Sequence, residues 1–300
     1  MTVERIVPVQ GTQLRYRQEG SGPAVLLLHG VGASLEFWDW VTPALRPAFT
    51  TLAVDLPGFG RSASTPAFLS PEGAARLVWA FLDAVGVARA ALVGSSLGGA
   101  IAVLAAGAAP RRVWALALAA PGGFARDVGL LLRLATLPGV GEALVALGRR
   151  APRAALAHVF ADPHRIPSAL VETIRGHAAR DAPGRAYLQV LRYALTLRGV
   201  RPALVAAVRA AAARVDAPTL VVWGARDRVI PPAQAAAVAA SIPQARVRLL
   251  DACGHLPLVE AADAFNALLV PFLRDAAGPF LPDATDRSAV AAPAGGEHVP

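Results

Sequence analysis

The chain has 300 residues, of which 55% are apolar, and its 29 basic and 21 acidic side chains give a formal net charge of +8. This length allows a large buried core, and the apolar composition argues against a disordered chain. All basic side chains are arginines, scattered singly or in pairs, so the charge does not predict nucleic-acid binding. The single cysteine, Cys253, excludes an intrachain disulfide.

The N-terminal segment carries Glu4 and Arg5 and lacks a basic head followed by an apolar stretch. We therefore expect no secretory signal and a cytoplasmic protein. One uncharged stretch, 90–109, is long enough to resemble a membrane span. Gly94 and Gly98 interrupt it near its middle, which favours a strand, a tight turn and a helix of small residues. We expect no stable membrane insertion.

Short apolar runs alternate with helical stretches through residue 120, a pattern typical of a mostly parallel sheet with helices on both faces. The sequence predicts an amphipathic helix over 71–85, with Pro71 at its start, and a closing helix over 261–273. Six apolar runs are predicted to be strands, namely 24–28, 51–54, 90–93, 113–118, 219–223 and 247–250. The predicted fold class is therefore α/β.

The pattern changes between residues 122 and 204. Strand-like runs vanish there, and short helical pieces are broken by several prolines, which is typical of a helical cap inserted into a sheet domain. Residues 276–300 are rich in Pro, Ala and Gly, as disordered tails often are. We predict a core domain of residues 1–121 and 205–275, a cap of residues 122–204, and a disordered tail of residues 276–300.

The segment 94–99, G-S-S-L-G-G, predicts a nucleophile at Ser96. It fits the pattern G-x-S-x-G directly after a predicted strand and before a helix of small residues. A serine on so sharp a turn has a strained backbone, and the residues two positions away must be small, as Gly94 and Gly98 are. Ser95 has larger neighbours at both of those positions, so Ser96 is the better candidate. The alternative is a glycine-rich helix start without chemistry.

A serine hydroxyl is a weak nucleophile unless a base lies beside it. Of the six histidines, His255 is the one that follows a predicted strand after both the serine and a suitable acid. Asp227 follows the next-to-last predicted strand and would orient the imidazole and stabilise its cation. Asp251, four residues before His255, and Asp127, after an earlier predicted strand, are the alternative acids.

Two backbone donors are needed to stabilise the negative charge that develops on a substrate oxygen. The N–H of Leu97, next to Ser96, is the first candidate. The second is the N–H of Val31 in the loop 29–32, H-G-V-G, whose glycines let it fold back toward the serine. His29 is interpreted as a structural brace of that loop.

These motifs resemble those of the α/β-hydrolase superfamily, and they occur in the same order at 29–32, 55–62, 94–99, 224–227 and 254–255. The resemblance spans about residues 14–273. It implies an eight-stranded, mostly parallel sheet, with Ser96, Asp227 and His255 above its carboxyl edge and a cap over the pocket. The order of these three residues is the serine, acid, histidine order of that fold. The segment 55–62 is expected to form a structural turn.

The nucleophile type narrows the choice within the superfamily. Dehalogenases and epoxide hydrolases use an aspartate, so Ser96 argues against both. Carbon–carbon bond hydrolases of ring-cleavage products share the serine triad, but they typically carry a tryptophan after the histidine and a longer glycine run in the oxyanion loop. This chain has Leu256 and the shorter H-G-V-G. No residue excludes a perhydrolase side activity.

We therefore predict hydrolysis of carboxylic esters through an acyl-enzyme, with carbon–carbon bond hydrolysis or non-enzymatic ligand binding as alternatives. The leucine-rich stretch 130–134 favours a small-molecule substrate with an apolar group. The sequence contains no metal-ligand cluster and no phosphate-cradling loop, so no cofactor and no metal are expected. It does not predict an oligomeric state.

Overall fold

The computed structural model describes residues 3–178 and 184–278. Its centre is one sheet of eight strands: β1 Val3–Val9, β2 Thr12–Glu19, β3 Ala24–Leu28, β4 Thr50–Val54, β5 Ala90–Ser95, β6 Val113–Ala119, β7 Thr219–Gly224 and β8 Arg246–Leu250. The spatial order is β1-β2-β4-β3-β5-β6-β7-β8. Strand β2 runs antiparallel to β1 and β4, and the remaining neighbours are parallel. The predicted fold class, with an eight-stranded and mostly parallel sheet, is confirmed.

Helices lie before, within and after the region predicted to be the cap. Before it come α1 Thr42–Leu45, α2 Pro71–Ala84 and α3 Leu97–Ala108. Within it are α4 Leu130–Leu134, α5 Val140–Arg150, α6 Pro152–Ala157, α7 Ser168–Ala178 and α8 Arg185–Ala194. Helix α9 Pro202–Ala212 begins in the last three residues of that region, and after it follow α10 Ala235–Ser241, α11 Pro257–Glu260 and α12 Ala262–Ala277. Short 3-10 turns occupy Leu35–Trp38, Pro66–Phe68, Pro110–Arg112, Pro163–Arg165 and Pro232–Gln234.

Three details differ from the sequence-based expectation. The region 122–204 holds a hairpin of two-residue strands, Leu195–Thr196 and Gly199–Val200, where no strand was predicted. The closing helix is divided at Ala261 and continues to Ala277, so it includes the first two residues of the predicted tail. The remainder of that tail, 279–300, lies outside the described residues. No helix within 3–178 and 184–278 is both long and apolar enough to cross a bilayer.

The central strands are buried on both faces, which explains their uninterrupted apolar runs. Because successive side chains in a strand point to opposite faces, β3 divides its side chains between two cores. Leu26 and Leu28 pack on the side of α2, α3 and α9, whereas Val25 and Leu27 pack on the side of α1, α11 and α12. The two layers hold the sheet rigid, and the loops at its carboxyl edge carry the candidate site.

Candidate active site

Ser96 lies on a strained turn between β5 and α3. Its backbone angles are φ 54° and ψ −116°, in a region that costs a non-glycine residue about 1–3 kcal/mol. A side chain at either flanking glycine would clash with nearby backbone atoms. A Cβ on Gly94 would lie 2.3 Å from the carbonyl oxygen of Gly98, and a Cβ on Gly98 would lie 2.1 Å from that of Leu28. The two glycines let the chain turn sharply enough to hold Ser96 at the edge of the sheet.

Asp227 and His255 form a direct pair at the same edge. The loop after β7 carries Asp227, the loop after β8 carries His255, and Nδ1 of the imidazole lies 2.7 Å from Oδ2 of the carboxylate. Both side chains are buried. Oδ1 of Asp227 accepts hydrogen bonds from the backbone N–H groups of Val229 and Ile230, at 2.8 and 2.9 Å. Oδ2 also accepts from Nε1 of Trp223, at 3.0 Å. The carboxylate is thus held by four donors.

The alternative acids lie elsewhere. Asp251 is exposed at the end of β8, and Asp127 is exposed with its carboxylate 3.6 Å from Arg133. Within the described part of the chain, no hydrogen bond or ion pair joins either carboxylate to His255. The assignment of Asp227 as the triad acid stays a prediction, and the observed pair is the geometry that such a role requires.

Gly122 connects the serine turn with the aspartate loop. Its N–H donates to the carbonyl oxygen of Ser96 at 3.0 Å. A Cβ placed on Gly122 would lie 3.7 Å from both that oxygen and Cδ1 of Ile230, a residue whose N–H binds Asp227. Gly122 is thus close to both loops, and the predicted nucleophile and the acid–base pair lie at the same carboxyl edge of the sheet.

Each predicted oxyanion donor belongs to a segment close to the serine. Leu97 is the first residue of α3, so its N–H has no acceptor within the helix and lies at the positive end of the helix dipole. The loop after β3 also approaches the serine, since a Cβ on Gly30 would be 3.2 Å from Cβ of Ser96. Val31 is the next residue of that loop. The oxyanion role of Leu97 and Val31 stays a prediction.

His29 braces the loop that carries Val31. Its Nε2 accepts the backbone N–H of Leu56 at 2.9 Å, so Nδ1 carries the proton and lies 2.7 Å from the carbonyl oxygen of Gly30. The ring is fully buried, and burial lowers the pKa of His29, although Asp55 opposes this shift. Both ring nitrogens are used by the backbone, which agrees with a structural role.

This buried imidazole gives the stability of the protein a defined pH dependence. Because the folded-state pKa of His29 is lowered, the unfolded chain takes up the proton first as the pH falls through about 6.5. The stabilisation is therefore complete above that pH and is lost below it, by up to about 1.4 kcal/mol per pH unit. We expect the free energy of unfolding, measured with urea at several pH values between 8 and 5, to fall less steeply with decreasing pH in His29→Gln than in the wild type. Identical slopes would contradict the buried neutral imidazole.

Three segments of the predicted cap contact loops of the candidate site. The ring of Tyr187 on α8 would contact a Cβ on Gly32 at 3.1 Å, so it lies against the oxyanion loop, and burial raises the pKa of Tyr187 to about 12. The carbonyl oxygen of Val159 accepts the backbone N–H of His255 at 2.8 Å. The N–H of Gly129 donates to the carbonyl oxygen of Val229 at 2.7 Å. The predicted cap thus contacts the oxyanion loop and the loops that carry Asp227 and His255.

Several contacts of the site carry no motif in the sequence. Trp223, Val159 and Glu260 hold Asp227 or the His255 loop, yet only their three-dimensional positions reveal this.

Cys253 is buried, and burial together with the nearby carboxylates of Glu260 and Asp227 raises its pKa to about 12. It is therefore a packing residue and a poor nucleophile. Across the residues with described positions, no group of three or more His, Cys, Asp or Glu is arranged to hold a metal ion.

An apolar cavity lies beside the serine turn. It is small, at about 10 Å³, and is lined by the loop after β4, the start of α2, the first turns of α3 and helix α8 of the predicted cap. Leu97, next to Ser96, is among its lining residues, together with Leu56, Phe59 and Val190. Ser70 is its one polar lining residue.

Known proteins resemble the chain over most of its length. The sequence profile of the alpha/beta hydrolase fold matches residues 23–262. The chain is 34% identical over 263 residues to the dihydrolipoyllysine-residue acetyltransferase component of the acetoin cleaving system of Cupriavidus necator, covering 87% of this chain and 66% of that protein. The chain thus spans just under two thirds of that relative.

Two further proteins match over nearly their whole length. The chain is 30% identical over 275 residues to the 2-hydroxy-6-oxo-6-phenylhexa-2,4-dienoate hydrolase of Comamonas testosteroni, covering 87% of this chain and 91% of that one. A serine hydrolase involved in carbazole degradation superposes with a TM-score of 0.73 at 25% identity, covering 91% of this chain and 99% of that chain. The matched range includes all three predicted triad positions, and the chain belongs to the alpha/beta hydrolase family.

Proposed function

We propose that the protein is a serine hydrolase that cleaves carboxylic esters through an acyl-enzyme. The observation that carries this proposal is the strained turn at Ser96 together with the buried Asp227–His255 pair at the same edge of the sheet. A backbone strain of this kind persists where the surrounding structure enforces it, and it presents the hydroxyl at the edge of the sheet. Both features are typical of enzymes that form a covalent serine intermediate.

The reaction would proceed in two steps. His255 takes the proton of Ser96 as the serine oxygen attacks the ester carbonyl, while the N–H groups of Leu97 and Val31 bind the oxyanion. The intermediate collapses, the carbon–oxygen bond breaks, and His255 gives its proton to the leaving alcohol. Water then attacks the acyl-enzyme with His255 again as base, which releases the acid and restores Ser96.

The apolar cavity supports a substrate with an apolar group. Its wall includes Leu97, whose N–H is the predicted oxyanion donor. The cavity measures only about 10 Å³, so a medium acyl chain fits when the side chains around it move apart. Moving apolar area out of water contributes about 25 cal/mol per Å². We therefore propose that the protein prefers esters of medium chain length over acetates.

Hydrolysis of carbon–carbon bonds in ring-cleavage products is the second candidate. It is favoured by the similarity to the Comamonas testosteroni dienoate hydrolase. Leu256 follows the histidine at the position where a tryptophan is typical of that group, and it is buried, at 7% exposure. This difference favours the ester reaction.

A ligand-binding protein without catalysis is the third candidate, and an intact Ser96, Asp227 and His255 argue against it.

A panel of p-nitrophenyl esters of increasing acyl length, with and without a serine-directed fluorophosphonate, tests the proposal. We expect turnover that rises from acetate to medium acyl chains, complete inhibition by the fluorophosphonate, and an adduct on the peptide containing Ser96. Labelling without ester turnover would transfer the proposal to carbon–carbon substrates, measured with a ring-cleavage dienoate. Neither labelling nor turnover would favour the ligand-binding alternative. A flat or reversed chain-length preference would contradict the apolar-group proposal.

A further inference from the structure

Glu260, at the end of α11, is a buried carboxylate that the triad does not include. Its side chain is 5% exposed and accepts three backbone hydrogen bonds. Oε2 accepts from Gly254 at 2.6 Å and from Ala161 at 3.1 Å, and Oε1 accepts from Asp162 at 2.9 Å. A carboxylate is an acceptor only, so it suits a site where three N–H groups converge. Glu260 thereby joins two segments that are about one hundred residues apart in sequence.

One of these segments is the loop that carries the catalytic base. Gly254, whose N–H binds Glu260 at the shortest of the three distances, directly precedes His255. A hydrogen bond to a charged acceptor is stronger than one between neutral groups. The position of the His255 backbone is therefore fixed from one side by Glu260, just as its ring is fixed by Asp227.

The other segment belongs to the predicted cap. The turn 159–162 lies directly on the histidine loop, because a Cβ on Gly254 would be 2.4 Å from the carbonyl oxygen of Val159 and 2.6 Å from the amide nitrogen of Ala161. The same Val159 oxygen accepts the N–H of His255 at 2.8 Å. Phe160, between them, is 1% exposed in the core beneath. This contact leaves no room for water between the cap turn and the histidine loop.

We propose that Glu260 is a positioning residue that fixes the His255 loop against the cap turn 159–162 and so places the imidazole for proton transfer. The proposal rests on the proposed function, in which His255 is the general base. Without the carboxylate, the N–H of Gly254 and those of the cap turn lose their common acceptor. The hydrogen bond from the His255 N–H to Val159 then holds the loop against the turn without the support of the carboxylate. Small displacements of a catalytic group are costly, about 100-fold in rate for 1 Å.

The variant Glu260→Gln keeps the size of the side chain and changes its hydrogen bonding. With its carbonyl oxygen at the place of Oε2, the glutamine keeps Gly254 and Ala161, and its NH₂ group faces the N–H of Asp162; in the flipped orientation it keeps only Asp162. In both orientations the charge that strengthens the three hydrogen bonds is lost and at least one N–H faces another donor. We expect kcat per labelled Ser96 to fall about 10- to 100-fold, with KM for a short aryl ester nearly unchanged. A purely structural role would lower the labelled fraction or the Tm and leave kcat per labelled site unchanged.

Glu142→Gln is the matched control. Glu142 also accepts a backbone N–H, that of Gly139 at 2.8 Å, and it lies in the cap region on α5, where it pairs with Arg192. Its removal should leave kcat unchanged. Fluorophosphonate titration gives the number of active sites in every variant, so the comparison does not depend on how much of each protein folds.

Amide hydrogen exchange gives a readout that does not require turnover. In Glu260→Gln, peptides containing Gly254 and Asp162 should exchange faster than in the wild type, and in Glu142→Gln they should not. Wild-type turnover together with wild-type kcat per site in Glu260→Gln would overturn the positioning role alone. A wild type that neither turns over esters nor takes up the fluorophosphonate would overturn the proposed function, and the positioning role with it.

Discussion

Replacing Ser96 with alanine is expected to lower ester turnover by about 10⁴-fold or more, without unfolding the protein. The alanine removes the oxygen that forms the acyl-enzyme, so no covalent intermediate can arise. The backbone at this position has φ 54°, a conformation that alanine adopts at about the same cost as serine. The glycines that allow the sharp turn are still present in the variant. The folded structure should therefore persist, with substrate binding intact and chemistry absent.

Ser95 provides a matched control on the adjacent residue. It is 1% exposed, and its hydroxyl lacks a hydrogen-bond partner among the described residues. Ser95→Ala removes a buried unpaired hydroxyl and should keep kcat/KM, labelling by the fluorophosphonate and the Tm at or above wild-type values. Ester hydrolysis by purified proteins and mass analysis of the labelled peptide measure both variants. Full activity in Ser96→Ala, or loss of activity in Ser95→Ala alone, would contradict the assignment of the nucleophile.

The sequence predicted most of the sheet because its central strands are buried on both faces and are therefore uninterrupted apolar runs. The runs at 24–28 and 113–118 agree with strands β3 and β6 to within one residue. The first two strands could not be assigned in the same way. Charged side chains such as Glu4 and Arg15 alternate with apolar ones there, and Arg15 is buried because carboxylates, among them Asp55, surround it. Such burial depends on partners distant in the chain.

The same distinction, between features set by local sequence and features set by distant partners, applies to the site. A glycine two residues before and two residues after Ser96 is a local requirement of a sharp turn, so it is readable from the sequence. A parallel sheet brings the carboxyl ends of its strands to one edge. An aspartate and a histidine that each follow a predicted strand can therefore be expected to lie near each other. The contacts that hold them, from Trp223 to Asp227 and from Glu260 to the histidine loop, join residues by packing and leave no repeated pattern. The structure is needed to find them.

Asp227→Asn tests the acid of the pair, and its effect follows from how the carboxylate is held. Two backbone N–H groups, from Val229 and Ile230, point at Oδ1, so the amide oxygen of the asparagine should take that place. The NH₂ group then occupies the position of Oδ2 and faces both Nδ1 of His255 and Nε1 of Trp223. The indole N–H keeps its second acceptor, the carbonyl oxygen of Ile230 at 3.1 Å. Because an NH₂ group only donates there, Nδ1 becomes an acceptor and the proton moves to Nε2.

An imidazole protonated at Nε2 cannot accept the proton of Ser96, and the cation that forms during reaction loses its carboxylate partner. We expect kcat to fall by about 10⁴-fold at neutral pH, while folding and substrate affinity change little. The control is Asp251→Asn on the same loop as His255, since Asp251 is exposed and should be dispensable. Steady-state kinetics measure the rates, and ¹⁵N NMR of the imidazole reports which nitrogen carries the proton. An inactive Asp251→Asn beside an active Asp227→Asn would reverse the assignment of the acid, whereas loss of activity in Asp227→Asn with an unchanged tautomer would place its effect on the cation alone.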